Sequence, residues 1–563
     1  MATMKAEQIE QKKQLIKIQA MKKILMTLAA VFCCAMTTTV LTSCSDEDET
    51  VTLPVVYDKV FPYTYEGQTL YYVIDETSQT ATVVAPCHPD YPEPKDEDDV
   101  LNYWEGYEKP KGKVVIPEIV EYSGKNFPLT ALGRGVFLSC SDITSVSLPE
   151  GLTIIDAGAF FECSSMETIA LPNSLQSIGD YAWELCSKLK QITFPDQLTH
   201  IGEGALADCE SLTTCHLPEK LQEINQYLFD GCENLTTVNI PEGVTFIGDA
   251  AFTHCSSLKK ITFPPTLTKI GDFAFQYDEK LGPDIVFPDG VTEIGRLVFG
   301  DCTSLTTCHL PEKLQDISQY LFYGCENLTT VNIPEGVTSI GDEAFTFCSS
   351  LKDVTFPSTL TKIGDWAFQY AEKLGPDIVI PEGVTEIGYA AFGDCYSLES
   401  IVLPNTLQSI GEFALSACTK LNNVTFPDHL THLNGGVLVG CTSLTTCHLP
   451  AQMEYIDKGL LCKTAISHIE IPENVARIDS CAFQECPSLQ ELSLPAGLTE
   501  IADSVFAGTR LEILTLASTV PPTVAEDTFD DYSTTINVPK GSGDAYRKDE
   551  IWGRFATINE KDE

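Results

Sequence analysis

Cysteine recurs at a fixed interval in this chain, and its thiol can bind a metal, form a disulfide or act as a nucleophile. A metal site gathers about four ligands around one point, whereas an even spacing places the sulfur atoms in a row. Cysteine also packs as a small buried hydrophobe, so we expect free, buried thiols. Thirteen cysteines share one position of an interval that is mostly 23 residues long: Cys140, Cys163, Cys186, Cys209, Cys232, Cys255, Cys302, Cys325, Cys348, Cys395, Cys418, Cys441 and Cys486.

Disulfides are the alternative for some of these thiols. An oxidising compartment would favour them, but Cys215 occupies the position of Ile261, which we expect to point inward from a strand. The sequence leaves both states open. The close pairs that recur are Cys209 with Cys215, Cys302 with Cys308, and Cys441 with Cys447.

Other reactive side chains do not converge. His216, His309 and His448 share one outward position of the repeat, four and six units apart, too far to share a metal or form a triad. No zinc-protease, esterase or phosphate-loop motif occurs. The acidic insertion at residues 87–113 lacks the spacing of a calcium loop. We therefore expect no catalytic residue, no metal site and no cofactor.

Each repeat must supply one strand and one opposite wall. In the unit that starts at Cys255, alternation around Thr262 predicts a strand that ends at Pro264, because proline cannot donate to a ladder. Gly271 is expected to adopt a positive φ. Asp278, Ala371 and Lys463 are assigned to the cysteine position of units that lack cysteine. In this unit, Leu258, Ile261 and Phe263 are predicted to face inward, and Ala274 and Phe275 are predicted to form the opposite, convex wall.

A longer period of 93 residues is superposed on the repeat. The segment Cys-His-Leu-Pro at 215–218 recurs at 308–311, and the residues between nearly match. Two of the units carry one extra residue, near Gly282 and Gly375. This is a tandem duplication of four units. It lengthens a surface, whereas copying an active site in this way would serve little purpose.

The outward side chains of the strands are the candidate binding residues. They form a flat, polar and repeated surface, suited to an extended ligand that is held at many weak contacts. The alternative is that threonine and asparagine simply solvate a sheet face. The residues are Thr214, His216, Thr237, Asn239, Lys260, Thr262, Thr307, His309, Thr330, Asn332 and Thr355.

The repeat resembles the BspA-like, or Treponema pallidum-type, class of leucine-rich repeats. The resemblance covers residues 113–517, about seventeen units. It implies a β-rich solenoid whose 23-residue repeats stack into a curved right-handed coil with terminal caps. We expect residues 57–112 to form an N-terminal cap hairpin with the acidic insert, and residues 518–563 to form the C-terminal cap.

The N-terminus has the order of a secretory signal: a basic start at Met21, an apolar run, then small residues. Residues 1–20 are interpreted as an annotation extension and residues 21–43 as the signal peptide. Leu41-Thr42-Ser43-Cys44 resembles a bacterial lipobox, which implies lipidation of Cys44. The acidic tether at 44–56 resembles the surface-export signal of Bacteroidetes lipoproteins. These resemblances imply outer-membrane anchoring, with the chain facing the cell exterior and touching the membrane only through its lipid.

The formal net charge of −45 excludes nucleic acid as a partner, since phosphate backbones would be repelled. Members of the BspA-like family are associated with binding extracellular-matrix proteins, so the resemblance implies an adhesin that recognises a host matrix or other surface protein. Glycan capture for nutrient uptake is the main alternative. Only four tryptophans are present, however, and polysaccharide platforms usually use aromatic faces. The remaining hypotheses are an enzyme and a passive coat protein.

Overall fold

The structure of the protein is a computed structural model that describes residues 60–86, 103–104 and 106–561. It divides into two units, one up to Cys186 and one from Ser187 onward. The predicted solenoid is confirmed: both units consist of turns about 23 residues apart, about 19 in all, with almost no helix. The predicted leader, Cys44, the acidic tether and most of the acidic insert lie outside the described residues.

The first unit begins with three consecutive antiparallel strands, of which Gln68–Asp75 and Thr80–Val84 form the predicted hairpin. A further hairpin, which was not predicted from the sequence, turns at Ser123 and Gly124, both with positive φ, as a two-residue turn between antiparallel strands requires. Parallel pairing starts when Thr80–Val84 joins Lys125–Leu132. The strands are Phe61–Tyr65, Gln68–Asp75, Thr80–Val84, Gly112–Val115, Ile119–Tyr122, Lys125–Leu132, Ile143–Ser147, Ile154–Ile155, Thr168–Ala170 and Ser177–Ile178.

The second unit contains two rows of short parallel strands, one of which we call the strand face. Its strands are Gln191–Thr193, Thr214–His216, Thr237–Asn239, Asp284–Val286, Thr307–His309, Thr330–Asn332, Asp353–Thr355, Asp377–Val379, Ser400–Val402, Asn423–Thr425, Thr446–His448, Glu491–Leu494, Ile513–Leu516, Thr535–Pro539 and Thr557–Lys561. The other row contains Glu223–Ile224, Phe246–Ile247, Lys269–Ile270, Glu293–Ile294, Asp316–Ile317, Ser339–Ile340, Lys362–Ile363, Glu386–Ile387, Ser409–Ile410, Tyr455–Ile456, Arg477–Ile478, Glu500–Ile501 and Thr523–Val524.

The inward positions of the repeat form the core as predicted. The five side chains assigned to the core in the unit that starts at Cys255 are buried, and Leu267 and Ile270 are buried with them. Phe275 stacks on Phe252 and Phe299, with ring centroids 5.1 and 5.8 Å apart, so one row of rings runs along the turns. No single unit could bury these side chains alone, which is why stacking is obligatory.

The turn after the second strand is tight and uses left-handed backbone. Phe273 and Tyr277 have φ values of 62° and 63°, an uncommon conformation for residues with a side chain. Their amides donate to carbonyl oxygens of the next turn, to Arg296 at 2.7 Å and Gly300 at 2.8 Å. The ladder of hydrogen bonds between successive turns thus offsets the strain of this conformation.

The positive φ predicted for Gly271 is wrong. Gly271 is not among the glycines with positive φ. A Cβ at this position would lie 2.2 Å from Oδ1 and 2.7 Å from the backbone nitrogen of Asp249 in the preceding turn. Glycine is required here because two backbones approach closely, and the left-handed residue comes two positions later, at Phe273.

The cysteine position is buried throughout, and the described cysteines are all free thiols, as expected. Most thiols of the row donate to a main-chain carbonyl of the preceding turn, for example Cys255 Sγ to the Phe229 oxygen at 3.1 Å. The assignment of Lys463 to this position is wrong. Thr464 occupies it, 1% exposed, and its Oγ1 lies 3.3 Å from Cys486 Sγ. The missing residue of this unit therefore follows position 464.

The C-terminal cap continues the strand face beyond residue 517, because Thr535–Pro539 and Thr557–Lys561 still pair in parallel. A helix at Gly543–Lys548 and a 3-10 turn at Trp552–Arg554 close the end. Tyr546 and Trp552 are fully buried, and Trp552 Nε1 donates to the Pro522 oxygen at 2.8 Å. Of the helices in the described part of the chain, none has the length and apolar character that spanning a membrane requires.

Candidate binding surface

The strand face places the predicted binding residues in two columns. Thr214 lies beside Thr237, and His216 beside Asn239, in consecutive strands. The same register recurs one duplication later, where Thr307 pairs with Thr330 and His309 with Asn332. All eleven predicted residues are accessible: Thr307 is half-buried, and the others are exposed. The duplication therefore presents one pattern of side chains twice.

Part of this face serves the fold. Threonines just before the strands bond to the preceding turn: Thr236 Oγ1 donates to the Thr213 oxygen at 3.1 Å, and Thr329 Oγ1 to the Thr306 oxygen at 3.0 Å. Thr307 Oγ1 donates to Asp284 Oδ1. The alternative interpretation, that polar columns stabilise the sheet, holds for these hydroxyl groups. It leaves the exposed columns beside them open to a ligand.

The titratable groups of the described residues form no reactive centre. No set of three or more histidine, cysteine, aspartate or glutamate side chains in this part of the chain could hold a metal ion. His448 Nε2 lies 2.9 Å from Asp428 Oδ1, in an exposed pair. Burial raises the pKa of Cys441 and Cys447 to about 12, so these thiols are protonated and poor nucleophiles.

One buried carboxyl stands out within the row of thiols. Asp278 is 0% exposed, and among the described residues neither of its carboxyl oxygens has a hydrogen-bond partner. Removal from water is the main cause that raises its pKa well above the usual range; an interaction with the Cys255 backbone opposes the rise. A buried carboxyl with a raised pKa makes the stability of the fold depend on pH.

Part of the strand face is aliphatic, which was not predicted from the sequence. Val286, Val379 and Val402 are 63%, 64% and 55% exposed and lie in the same column as His216 and His309. Val402 also borders a shallow depression of about 300 Å³. Reading this column beyond residue 355 in the sequence would have revealed the valines. The outward column of the strand face is therefore mostly polar, with exposed valines at three of its positions.

The sequence analysis also missed two rows of aromatic side chains in the tight turns. In one row, Phe347 and Tyr370 stack with ring centroids 4.9 Å apart. In the other, Trp366 lies 5.0 Å from Tyr389, which is 36% exposed. Left-handed turns follow neither strand nor helix periodicity, so the pattern gave no signal. We call these the aromatic rows: Tyr320, Tyr323, Phe347 and Tyr370 in one, and Trp366, Tyr389 and Phe413 in the other.

Comparison with known families matches residues 130–541 of this chain to the BspA type leucine rich repeat region, in four overlapping segments: 130–259, 245–375, 375–490 and 459–541. Proteins built from such repeats are typically binding scaffolds without catalytic activity. No curated protein matches the chain.

Solved structures with a similar fold come from several bacteria. A leucine-rich repeat protein from Bacteroides ovatus is 23% identical, with a TM-score of 0.49; the match covers 85% of this chain and 100% of that one. A leucine rich cell surface protein from Faecalibacterium prausnitzii is 25% identical, with a TM-score of 0.42, over 70% and 96% of the two chains. The leucine-rich repeat protein of T. pallidum is 22% identical, with a TM-score of 0.20, over 50% and 87%.

Proposed function

From the premise that this chain belongs to the BspA-type leucine-rich repeat family, we propose that it is a cell-surface adhesin that binds an extended protein ligand through its strand face. The observation that supports this most directly is the pair of exposed side-chain columns, which keep their register from strand to strand. A ligand laid along such columns would gain many weak contacts, and their sum gives useful affinity.

A protein of the host extracellular matrix is the partner that we propose. The net charge of −45 disfavours nucleic acids and anionic surfaces and favours ligands with basic segments. The same proposal places the chain at the outer membrane, anchored by a lipid on Cys44 and facing outward. Replacing that cysteine by serine is expected to release the chain from the membrane fraction, and a membrane-bound variant would contradict the anchor.

Direct binding to immobilised matrix glycoproteins and polysaccharides tests the proposal. The parent chain is compared with a variant that carries Thr→Lys at positions 214, 237, 307 and 330 of the strand face. A matched control carries Thr→Lys at the exposed positions 245, 268, 292 and 338, beside the other strand row. We expect saturable protein binding that falls at least about tenfold in the first variant, since several contacts are lost at once, and persists in the control.

Two results would count against the adhesin. Equal loss in both variants would indicate that added charge or altered folding, and not the strand face, explains the effect. Binding to a polysaccharide but to no protein would favour glycan capture in its place.

Glycan capture is the second candidate, and the aromatic rows are the observation that favours it. Half-buried rings with polar neighbours suit the apolar faces of sugars, and Tyr396 at this surface donates to Asp394 Oδ1 at 2.9 Å. On this proposal, Trp366→Ala with Tyr389→Ala abolishes polysaccharide binding, whereas the strand-face variant keeps it. The opposite pattern would remove the aromatic rows from consideration.

A further inference from the structure

Turns that lie 93 residues apart share a scaffold but differ on the strand face. In this comparison, residues 260–309 are called the first copy and residues 353–402 the second copy. At three positions 93 residues apart, Lys260 corresponds to Asp353, Val286 to Val379, and His309 to Val402. The first copy thus carries a lysine and a histidine where the second carries an aspartate and a valine. Because the surrounding strands keep the same register, these changes alter the chemistry of the surface and leave its geometry alone.

The second copy gains a pair of adjacent aliphatic side chains. Val379 and Val402 are register partners in neighbouring strands, where opposite Cβ atoms lie about 5 Å apart. In the first copy the partner of Val286 is His309. Single exposed aliphatic residues are ordinary, but here two strongly exposed valines lie side by side in neighbouring strands.

A depression extends the apolar surface past the second valine. It has a volume of about 300 Å³, and its walls include Val402, Asn405, Asn423, Thr425, Phe426 and Pro427. The apolar floor could take one side chain, and the amide groups at the rim could bond to an extended main chain. We call Val379, Val402 and this depression the valine patch.

The segment that carries the valine patch is acidic. Between residues 376 and 427 the sequence has six acidic side chains and a single basic one, Lys420. Asp377, Glu382 and Glu399 are exposed next to the patch, and Asp377 Oδ1 already accepts a hydrogen bond from Ser400 Oγ at 2.6 Å. An occupant with lysine or arginine on either side of an apolar residue would complement this pattern.

We propose that the valine patch anchors one leucine-like or aromatic side chain within an extended, basic segment of a protein. This rests on the proposed function, since the segment would belong to the protein ligand of the strand face. The corresponding part of the first copy lacks the aliphatic pair and makes no such anchor.

Two synthetic peptides of twelve residues serve as probes: alternating lysine and threonine around a central leucine, and the same peptide with threonine at the centre. We expect the full chain to bind the leucine peptide at least about fivefold more tightly, because a leucine side chain leaves water. V379T with V402T keeps the shape of both side chains and is expected to abolish this preference. V286T, the same change in the first copy, is expected to retain it.

The variant V402H guards against a folding artefact, because His309 occupies the equivalent position in the first copy and the scaffold accepts it there. It too should lose the preference for leucine. The proposal is overturned if the leucine makes no difference to the parent chain, if V286T loses the preference as fully as V379T with V402T, or if V402H keeps it. Binding of the variants to matrix glycoproteins is measured separately. If the chain binds matrix glycoproteins but shows no preference for the leucine peptide, only the valine-patch proposal is refuted. If it prefers the leucine peptide but binds no matrix glycoprotein, only the adhesin proposal is refuted.

Discussion

Replacing Asp278 by alanine is expected to stabilise the protein and to remove part of its pH dependence. Asp278 is fully buried in the row of thiols, and the same slot in the second copy is filled by buried Ala371. The scaffold therefore accepts the substitution. A buried polar group without a partner costs about 1–3 kcal/mol, which sets the scale of the gain for Asp278→Ala even while the carboxyl is protonated.

The pH dependence follows from the raised pKa. Between the ordinary aspartate pKa of about 3.9 and the higher value in the folded state, the folded chain binds one more proton than the unfolded chain. The stability linked to Asp278 is thus complete below this window and falls by about 1.4 kcal/mol for each pH unit within it. Asp278→Ala lacks this slope, so its advantage over the parent grows as the pH rises from 4.

Urea unfolding at pH 5, 6 and 7, monitored by far-ultraviolet circular dichroism, measures how the free energy of unfolding changes with pH in the parent and in Asp278→Ala. The matched control is Ala371→Asp, which places the carboxyl in the equivalent slot and is expected to lower stability and steepen the pH dependence. Equal slopes for the parent and Asp278→Ala, or no effect of Ala371→Asp, would show that the buried carboxyl titrates normally and that the reasoning is wrong.

Three further outcomes follow from the described contacts. Gly271→Ala places a Cβ against the backbone of Asp249 and should lower the free energy of unfolding in urea by about 1–3 kcal/mol. Gly459 has open space around it, so Gly459→Ala should lower the free energy of unfolding by about 1 kcal/mol, for its positive φ alone. Equal losses would contradict the close approach at Gly271. Cys481 is the one described cysteine that is not buried, so peptide mapping after brief alkylation should find it labelled first, and earlier labelling of a row thiol would show that the row opens. Asp377→Asn should weaken binding of a basic peptide, and this loss of affinity should become smaller as the salt concentration increases. A loss that does not depend on salt would argue against charge recognition.

The fold could be predicted because one period governs it. Leu258, Ile261 and Phe275 recur with the repeat, and a side chain that must be buried in one turn must be buried in all. The backbone conformation at individual positions of the repeat was harder to predict. Gly271 was assigned a turn conformation because sequence shows a glycine but not the neighbouring backbone of Asp249.

The candidate surface was predictable in position but not in composition. Alternation placed His216 and Asn239 outward, and they are exposed. The valine patch was missed because reading the first copy as representative hid the change from His309 to Val402. The aromatic rows were missed because the alternation used to assign outward side chains does not extend into the left-handed turns, although Phe347 and Tyr370 lie one repeat apart. Thr464 was missed because a deletion within one unit has no fixed place in a sequence pattern.

The duplication allows the number of turns in the solenoid to change by recombination. Removing residues 283–375 would join Gly282 to Pro376, the same dipeptide that stands at both seams, and each turn on either side would meet a neighbour of the kind it already has. Recombination between the two copies would shorten or extend the coding sequence by 93 residues, and each new junction would join two turns that carry the repeat's apolar positions. The number of ligand contacts would then change in a single genetic step.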